Sequence, residues 1–101
     1  MDMRQLMKQA QDMQANMEKV QAQLAEERLE ASAGGGMVSV TANGAGDILS
    51  VRIDPAAIDP DDVEMLEDMV LAAVNEASRQ AGALAQQRMG AVTGGMNLPG
   101  M

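Results

Sequence analysis

Residues Met3–Leu24 carry an unbroken heptad pattern, and this pattern constrains the fold more than any other feature of the sequence. Apolar residues follow one another at steps of three and four, the spacing of a narrow helical stripe that pairs with another helix. The a positions are Met3, Ala10, Met17 and Leu24, and the d positions are Leu6, Met13 and Val20. Neither Pro nor Gly interrupts the stretch. We therefore predict a helix from Met3 to about Arg28, roughly 40 Å long at about 1.5 Å per residue.

The positions that flank this stripe carry no charge, so interhelical salt bridges do not select its partner. They are Met7, Gln14 and Gln21 at e, and Gln9, Asn16 and Gln23 at g. The chain has 101 residues and eleven Met, but no Phe, Trp, Tyr, Cys or His. One domain is expected at this length, and a core without aromatic side chains is small for a domain that stands alone. We therefore predict that the chain forms an oligomer.

The N-terminus has no long apolar run, which predicts neither a signal peptide nor a transmembrane span. Because the chain has no Cys, it can form no disulfide, no thiolate metal site and no thiol nucleophile. Together these features predict a cytoplasmic protein without a membrane partner.

The middle of the chain has the pattern of antiparallel strands. Residues Met37–Ala42 alternate with β-branched side chains, Asn43–Gly46 is a turn sequence that tolerates positive φ, and Ile48–Ile53 reads as the return strand. A weaker strand signal covers Leu29–Ala33. The pattern predicts either a hairpin or a three-stranded meander with one apolar face. In the return strand this face consists of Leu49, Val51 and Ile53.

A second helix is predicted after the strands. Asp59 suits the N-cap and Pro60 the first helical position, and the helix can continue to about Met89, with Gly90 as its stop. Its predicted apolar face consists of Val63, Leu66, Val70, Ala73, Val74, Ala77, Ala81, Leu84 and Ala85. Because Ala dominates the middle of this face, a neighbouring element can approach closely.

We predict a single α+β domain over 1–90 and a flexible tail, rich in Gly and Met, over 91–101. If the two helices run antiparallel, the start of the first lies beside the end of the second. Four basic residues would then meet at one tip of the molecule. They are Arg4, Lys8, Arg79 and Arg88.

The acidic residues are concentrated in one region. The net charge is −8, and six carboxylates lie between Asp59 and Asp68. A metal-site interpretation would use Asp54, Asp59, Asp61, Asp62 and Glu64 as oxygen ligands. Their spacing matches no calcium loop, so capping of backbone N–H groups is the favoured interpretation.

The sequence offers no constellation for catalysis. Paired carboxylates have no His, Tyr or Cys to complete an acid–base site. The triple glycine Gly34–Gly36 is followed by a strand and not by the Lys and Ser or Thr of a phosphate-binding loop. We therefore expect no enzyme activity, no cofactor, no metal and no small-molecule substrate.

Several segments resemble the YbaB/EbfC family of bacterial nucleoid-associated proteins, in that family's order along the chain. They are Leu6–Gln14, Gly35–Gly44, Val51–Pro55, Glu64–Val70, Ala72–Ala77 and Gly95–Gly100. The resemblance implies an α-β-β-β-α protomer with a three-stranded antiparallel sheet, and a tweezer-shaped homodimer. It also implies binding to double-stranded DNA in the nucleoid, with effects on nucleoid organisation and gene expression.

Two function classes follow from the residues and the resemblance. The first is a homodimeric DNA binder that contacts the phosphate backbone with low sequence specificity through Arg4, Lys8, Arg79 and Arg88, and that salt weakens. Members of this family usually carry more Lys and Arg on the helical arms than this chain does. The second class is a protein-binding adaptor or chaperone-like clamp, which would use the Met-rich helical surface and the acidic region.

Overall fold

A computed structural model describes residues 2–93 of the chain. The elements are the helix α1 (Met3–Glu26), the strands β1 (Leu29–Ala33), β2 (Val38–Ala42) and β3 (Ile48–Ile53), and the helix α2 (Val63–Thr93). The α+β prediction is confirmed, and the weak signal at the first strand corresponds to a real strand. A single 3₁₀ turn over Pro55–Ala57 connects β3 to the segment before α2.

The helix α1 begins at a capping carboxylate and ends two residues before the predicted boundary. Asp2 has extended backbone angles, and its Oδ1 accepts a hydrogen bond from the Gln5 N–H at 2.9 Å. At the other end Glu27 is extended, and its N–H donates to the Leu24 carbonyl at 3.1 Å. The Arg28 guanidinium donates to two carbonyls of the last turn. Because these carbonyls already have donors, the helix can end at Glu26.

The three strands form an antiparallel sheet in the order β1-β2-β3. Alternate residues of β2 are buried, and those of the opposite face are partly exposed. The turn that follows β2 is organised by Asn43, a buried polar residue. Its Oδ1 accepts from the N–H groups of Ala45 and Asp47, both at 3.0 Å. The turn that the sequence predicts is therefore confirmed, and a buried side chain supplies its hydrogen bonds.

The start of α2 differs from the prediction, because Asp59 is not its N-cap and Pro60 is not helical. The Asp59 carboxylate accepts from the Asp61 N–H at 2.9 Å, and the Asp59 carbonyl accepts from the Asp62 N–H at 3.0 Å. These bonds form a separate turn. The Asp62 carboxylate then accepts from the Met65 N–H at 3.2 Å, which is the geometry of an N-cap three residues further along the chain.

The end of α2 also differs from the prediction. The helix continues through Gly82 and Gly90 to Thr93, so the predicted stop near Met89 is wrong. Each Gly costs about 1 kcal/mol relative to Ala, which the good helix formers around it can offset. The tail that the sequence predicts lies outside the described residues from position 94 onward. Within the described part of the chain, neither helix has the length and hydropathy needed to cross a bilayer.

The core lies between α2 and the first two strands, and it is built from small side chains. Ala73 and Ala77 of α2 pack on Ala31, Val38 and Val40 of the sheet. The Ala residues allow the helix to approach the sheet closely, as their pattern predicts. The protomer measures 70 × 28 × 16 Å and has a radius of gyration of 19.5 Å, against about 13 Å for a compact domain of this length. One protomer is therefore too extended to bury most of its apolar surface.

Candidate nucleic-acid interface

The first half of α1 projects from the body of the protomer. Asn16, Val20 and Gln23 of α1 line a cleft with Arg88 and Ala91 of α2. The two helices are therefore antiparallel along this cleft, and the last described turn of α2 lies beside the middle of α1. We call residues 3–15 of α1 the arm. Within the arm only Met13 is partly buried, and the remaining residues are exposed.

Arg4 and Lys8 lie on the exposed arm, one helical turn apart. Neither side chain makes a hydrogen bond or ion pair with the part of the chain that the structure describes. They occupy heptad positions b and f, on the side of the helix opposite the apolar stripe. These two cations are therefore accessible to an anionic partner.

Arg88 lies at the other end of α1. Its Nη2 donates to Oε1 of Glu27 at 2.7 Å, in an ion pair between the second-to-last described turn of α2 and the residue that follows α1. Glu27 is 23 residues from Arg4, or roughly 35 Å along a helix that rises about 1.5 Å per residue. The helices have the antiparallel arrangement on which the expected tip depends, but the four cations do not meet there, because α2 ends beside the middle of α1.

Arg79 is paired within its own helix. Its guanidinium donates two hydrogen bonds to the Glu76 carboxylate, one turn earlier in α2. These bonds and a further one from Gln80 lower the pKa of Glu76 to about 2, and the carboxylate in turn raises the pKa of Arg79. An anionic ligand of Arg79 would therefore have to compete with Glu76.

Lys19 is a cation that sequence reasoning missed. It lines the cleft between the helices together with Arg88, in a depression of about 390 Å³. The missed signal is its spacing: it follows Lys8 by 11 residues, which is close to three full helical turns. Lys8 and Lys19 therefore lie on nearly the same side of α1, about 16 Å apart.

The acidic region lies away from Arg88. Its last member, Asp68, is 20 residues before Arg88 in α2, or about 30 Å along the helix axis. The carboxylates of Asp54, Asp59 and Asp62 each accept a backbone N–H. No group of three carboxylates in the described residues is placed to hold a metal ion. These contacts support the capping interpretation of the acidic residues.

The exposed large apolar side chains fall into two groups. One group lies on α1 and consists of Met3, Leu6, Met7 and Met17. The other lies on β3, on α2 and between them, and it includes Leu71 of an apolar groove between β3 and α2 with a volume of about 440 Å³. Its lining residues are Ile53, Leu66, Glu67, Val70, Leu71 and Val74. Because α2 packs over β1 and β2, the face of β3 beside this groove stays open.

Comparison with known families identifies this arrangement of two helices and a small sheet. The model of the YbaB/EbfC DNA-binding family matches residues 1–96. The chain belongs to the YbaB/EbfC DNA-binding family. The resemblance that the sequence motifs indicate is thereby confirmed over almost the whole chain, and this family is named for DNA binding and not for a catalytic activity.

Curated relatives that are 52% to 54% identical to this chain carry the name nucleoid-associated protein. The relative from Clostridium novyi is 54% identical over 101 residues, which cover 100% of this chain and 89% of that protein. The relative from Alkaliphilus metalliredigens is 52% identical over 100 residues, which cover 99% of this chain and 88% of that protein. A third, from Moorella thermoacetica, is 52% identical over 99 residues, which cover 98% of this chain and 95% of that protein.

A solved structure shares the fold of this YbaB/EbfC chain. It is the crystal structure of the uncharacterized protein HP0035 from Helicobacter pylori, with a TM-score of 0.78 and 24% sequence identity. The match covers 86% of this chain and 91% of that one. The α-β-β-β-α order therefore occurs in a fold that is already known.

Proposed function

We propose that this protein binds double-stranded DNA as a homodimer and is associated with the nucleoid in the cytoplasm. Membership of the YbaB/EbfC DNA-binding family and the names of its relatives support this proposal. The observation that carries it is the arm, where Arg4 and Lys8 are exposed, make no ion pair with the described residues and lie far from the acidic region. In this role the protein organises the nucleoid and influences gene expression.

The chemistry of the arm favours contacts to phosphates. The chain has no aromatic side chain that could stack on a base. Exposed Lys and Arg on a helix bind phosphate oxygens, which carry no sequence information. Binding of low sequence specificity follows, and salt should weaken it because each neutralised phosphate releases counterions.

The steepness of the salt dependence tests which cations take part. If all four proposed residues of two copies bind phosphates, the slope of log K against log salt reaches about −7. Arg79 and Arg88 are ion-paired in the protomer. If only Arg4 and Lys8 contact DNA, a slope near −4 is expected. The slope is measured by titrating a labelled duplex with protein at several salt concentrations.

Lys8→Gln tests the arm directly. Removing one phosphate contact from each of two copies should lower the magnitude of the slope by about 2 and weaken binding at low salt. Arg52→Gln is the matched control, because it removes the same charge from the polar face of the sheet, away from the arm. Equal losses in both variants would mean that only net charge matters, and would contradict binding through the arm.

Glu27→Gln tests Arg88. This change removes the carboxylate that holds the Arg88 guanidinium, so a DNA-binding Arg88 becomes available and affinity should rise. Glu26→Gln is the control, since it makes the same charge change at the neighbouring position, where no ion pair forms within residues 2–93. If both variants bind DNA equally, Arg88 is not a DNA contact.

A second copy is the proposed occupant of the apolar groove. The largest fully buried side chains in the described residues are Val38 and Val40, so the protomer core is small. Leu49 and Val51 of β3 are each 46% exposed, and Ile53 of the same strand lines the groove. A symmetric contact would cover both groove and strand and would enlarge the core.

Val51→Glu should therefore convert the dimer to a monomer, because it places a charge on the apolar face of β3. Ser50→Glu is the matched control, since Ser50 is the next residue of the same strand and lies on its polar face. Sedimentation velocity distinguishes the two masses. A Val51→Glu variant that remains dimeric would overturn the assignment of the groove.

A protein-binding adaptor or clamp is the second candidate, and the exposed Met-rich surface of α1 favours it. Ultraviolet absorbance separates the two functions, because a chain without aromatic residues or Cys is nearly transparent between about 250 and 290 nm. Protein purified at low salt should carry a band near about 260 nm that a high-salt wash removes. A flat spectrum at low salt would favour the adaptor.

A further inference from the structure

The arm has an apolar seam that the described residues leave open. Met3 is 77% exposed and Leu6 is 51% exposed, and Ala10 is also exposed. Asn16 of α1 and Ala91 of α2 line the same cleft, and the described part of α2 ends two residues later at Thr93. The groove between β3 and α2 is a separate surface. A dimer formed through the groove therefore does not by itself explain the seam.

The charges around the seam are compatible with a second copy of the same helix. The e and g positions of the arm are Met7, Gln9 and Gln14, which carry no charge. In a helix pair these positions lie closest to the partner and select it by charge. Two identical arms therefore meet without like-charge repulsion, whereas the arm has no charges with which to select a different helix.

The side chains of the seam match one another when two arms run antiparallel. In one register Leu6 of each arm faces Ala10 of the other, so a large residue meets a small one. In the same register Met3 of each arm faces Met13 of the other. Antiparallel pairing also places the two bodies at opposite ends, whereas parallel pairing would bring bodies of 28 × 16 Å cross-section side by side.

We propose that the arms of two separate dimers pair antiparallel through this seam and link the dimers. Arg4 and Lys8 lie at heptad positions b and f, so they stay on the outside of the pair and remain available to phosphates. The contact spans only about three helical turns, so it is weak in solution and becomes populated at the high local concentration that DNA binding creates. The pairing of the arms does not depend on the groove dimer that is part of the proposed function. Only the expected size of the assembly, two dimers, rests on it.

Sedimentation velocity tests the proposal with two matched variants. Leu6→Gln with Met13→Gln makes the seam polar, while Ala15→Gln with Ala22→Gln adds two Gln residues at the outer f positions. Wild type and the outer variant should shift from dimer toward tetramer as concentration rises, and the seam variant should remain a dimer. Circular dichroism at 222 nm checks that all three are equally helical. Equal association of all three proteins would overturn the proposal.

Cross-linking tests the direction of the pair, because the chain contains no native Cys. A disulfide forms only when the two Cα atoms are within about 7 Å. A mixture of Leu6→Cys and Ala10→Cys proteins should cross-link, and Leu6→Cys alone should not. Cross-linking of Leu6→Cys alone would indicate parallel arms and overturn the proposed register. The mass of the cross-linked assembly is measured under native conditions by sedimentation velocity. If it never exceeds the mass of a dimer, the link between dimers is overturned.

Two further outcomes separate this proposal from the groove dimer and from other occupants. If Val51→Glu leaves the dimer intact, the groove assignment fails, while loss of association in the seam variant would still support arm pairing. If wild type stays dimeric but a chain that ends at Thr93 associates through the seam, then residues 94–101 are the occupant. That result would overturn the proposal.

Discussion

At the scale of single residues, two glycines in this chain have opposite roles. A Cβ at Gly44 would lie 2.8 Å from the Leu24 carbonyl oxygen and 2.9 Å from its Cδ2. The Gly44 N–H also donates to that carbonyl at 2.8 Å. Gly44 is therefore the point at which the turn after β2 attaches to the end of α1. At Gly82, within α2, a Cβ would have no described atom within 4 Å other than those of its neighbours and of its own helix backbone.

We expect Gly44→Ala to lower the free energy of unfolding by about 1–3 kcal/mol, because the added methyl group must displace the backbone of α1. Gly82→Ala should raise it by about 1 kcal/mol, because Ala favours the helix and meets open space. Urea unfolding followed by circular dichroism measures both. Equal effects of the two substitutions would show that the contact between turn and helix is not tight.

A pH effect is expected from the pair between Glu76 and Arg79. The pKa of Glu76 is about 2 in the folded chain, against an ordinary value of 4.5. Because the folded value is lower, the stabilisation is present above about pH 4.5 and is lost as the pH falls toward 2. The difference in unfolding free energy between wild type and Glu76→Gln should therefore shrink between pH 7 and pH 2. Arg79→Gln should show the same trend, and a difference independent of pH would contradict it.

At the scale of elements, the start of α2 shows how capping decides a boundary. The segment offers three Asp residues within four positions, and propensity alone allows a cap at Asp59 or at Asp62. The Asp59 carboxylate accepts the Asp61 N–H within the preceding turn. Asp62 is therefore left to accept the Met65 N–H and to define the first turn of the helix.

We expect Asp62→Ala to cost about 1 kcal/mol of stability, because it leaves a helix N–H without its acceptor. Asp59→Ala changes the same charge, so it serves as the control and should cost less. Thermal unfolding at matched salt measures both. A larger loss for Asp59→Ala would mean that the preceding turn, and not the helix cap, stabilises this junction.

At the scale of the whole molecule, the acidic region and the cations of the arm lie apart. Salt should therefore have opposite effects on dimer formation and on DNA binding. One of the six carboxylates between residues 59 and 68, Glu67, lines the groove. Two copies that pack through this groove bring their acidic regions together. The cations of the arm lie at the far end of the protomer. Salt should therefore strengthen the dimer and weaken DNA binding.

We expect the dimer dissociation constant to fall between about 0.1 M and 1 M NaCl, as the Debye length decreases from about 10 Å to 3 Å. Sedimentation equilibrium measures it. Glu67→Gln should reduce this dependence, because it removes a charge from the groove itself. A dimer that weakens with salt would indicate an interface held by ion pairs and would contradict the apolar groove.

The sequence by itself determined the elements and the family of this protein. The unbroken heptads, the Asn43 turn and the alternation in β2 are local patterns that depend on backbone geometry, so the helix, the turn and the strand could be predicted. Arg4 and Lys8 could be chosen as candidates for the same reason, since one helical turn separates them.

Only the tertiary structure decided which cations are available and where α2 ends. Glu27 and Arg88 are 61 positions apart, and no local pattern indicates that they pair. The continuation of α2 beyond Gly90 brings Ala91 beside α1. Contacts between distant segments are set by packing and not by the propensity of either segment. The meeting of four cations at one tip was therefore predicted wrongly, whereas the presence of each helix was predicted correctly and only the ends of α2 were not.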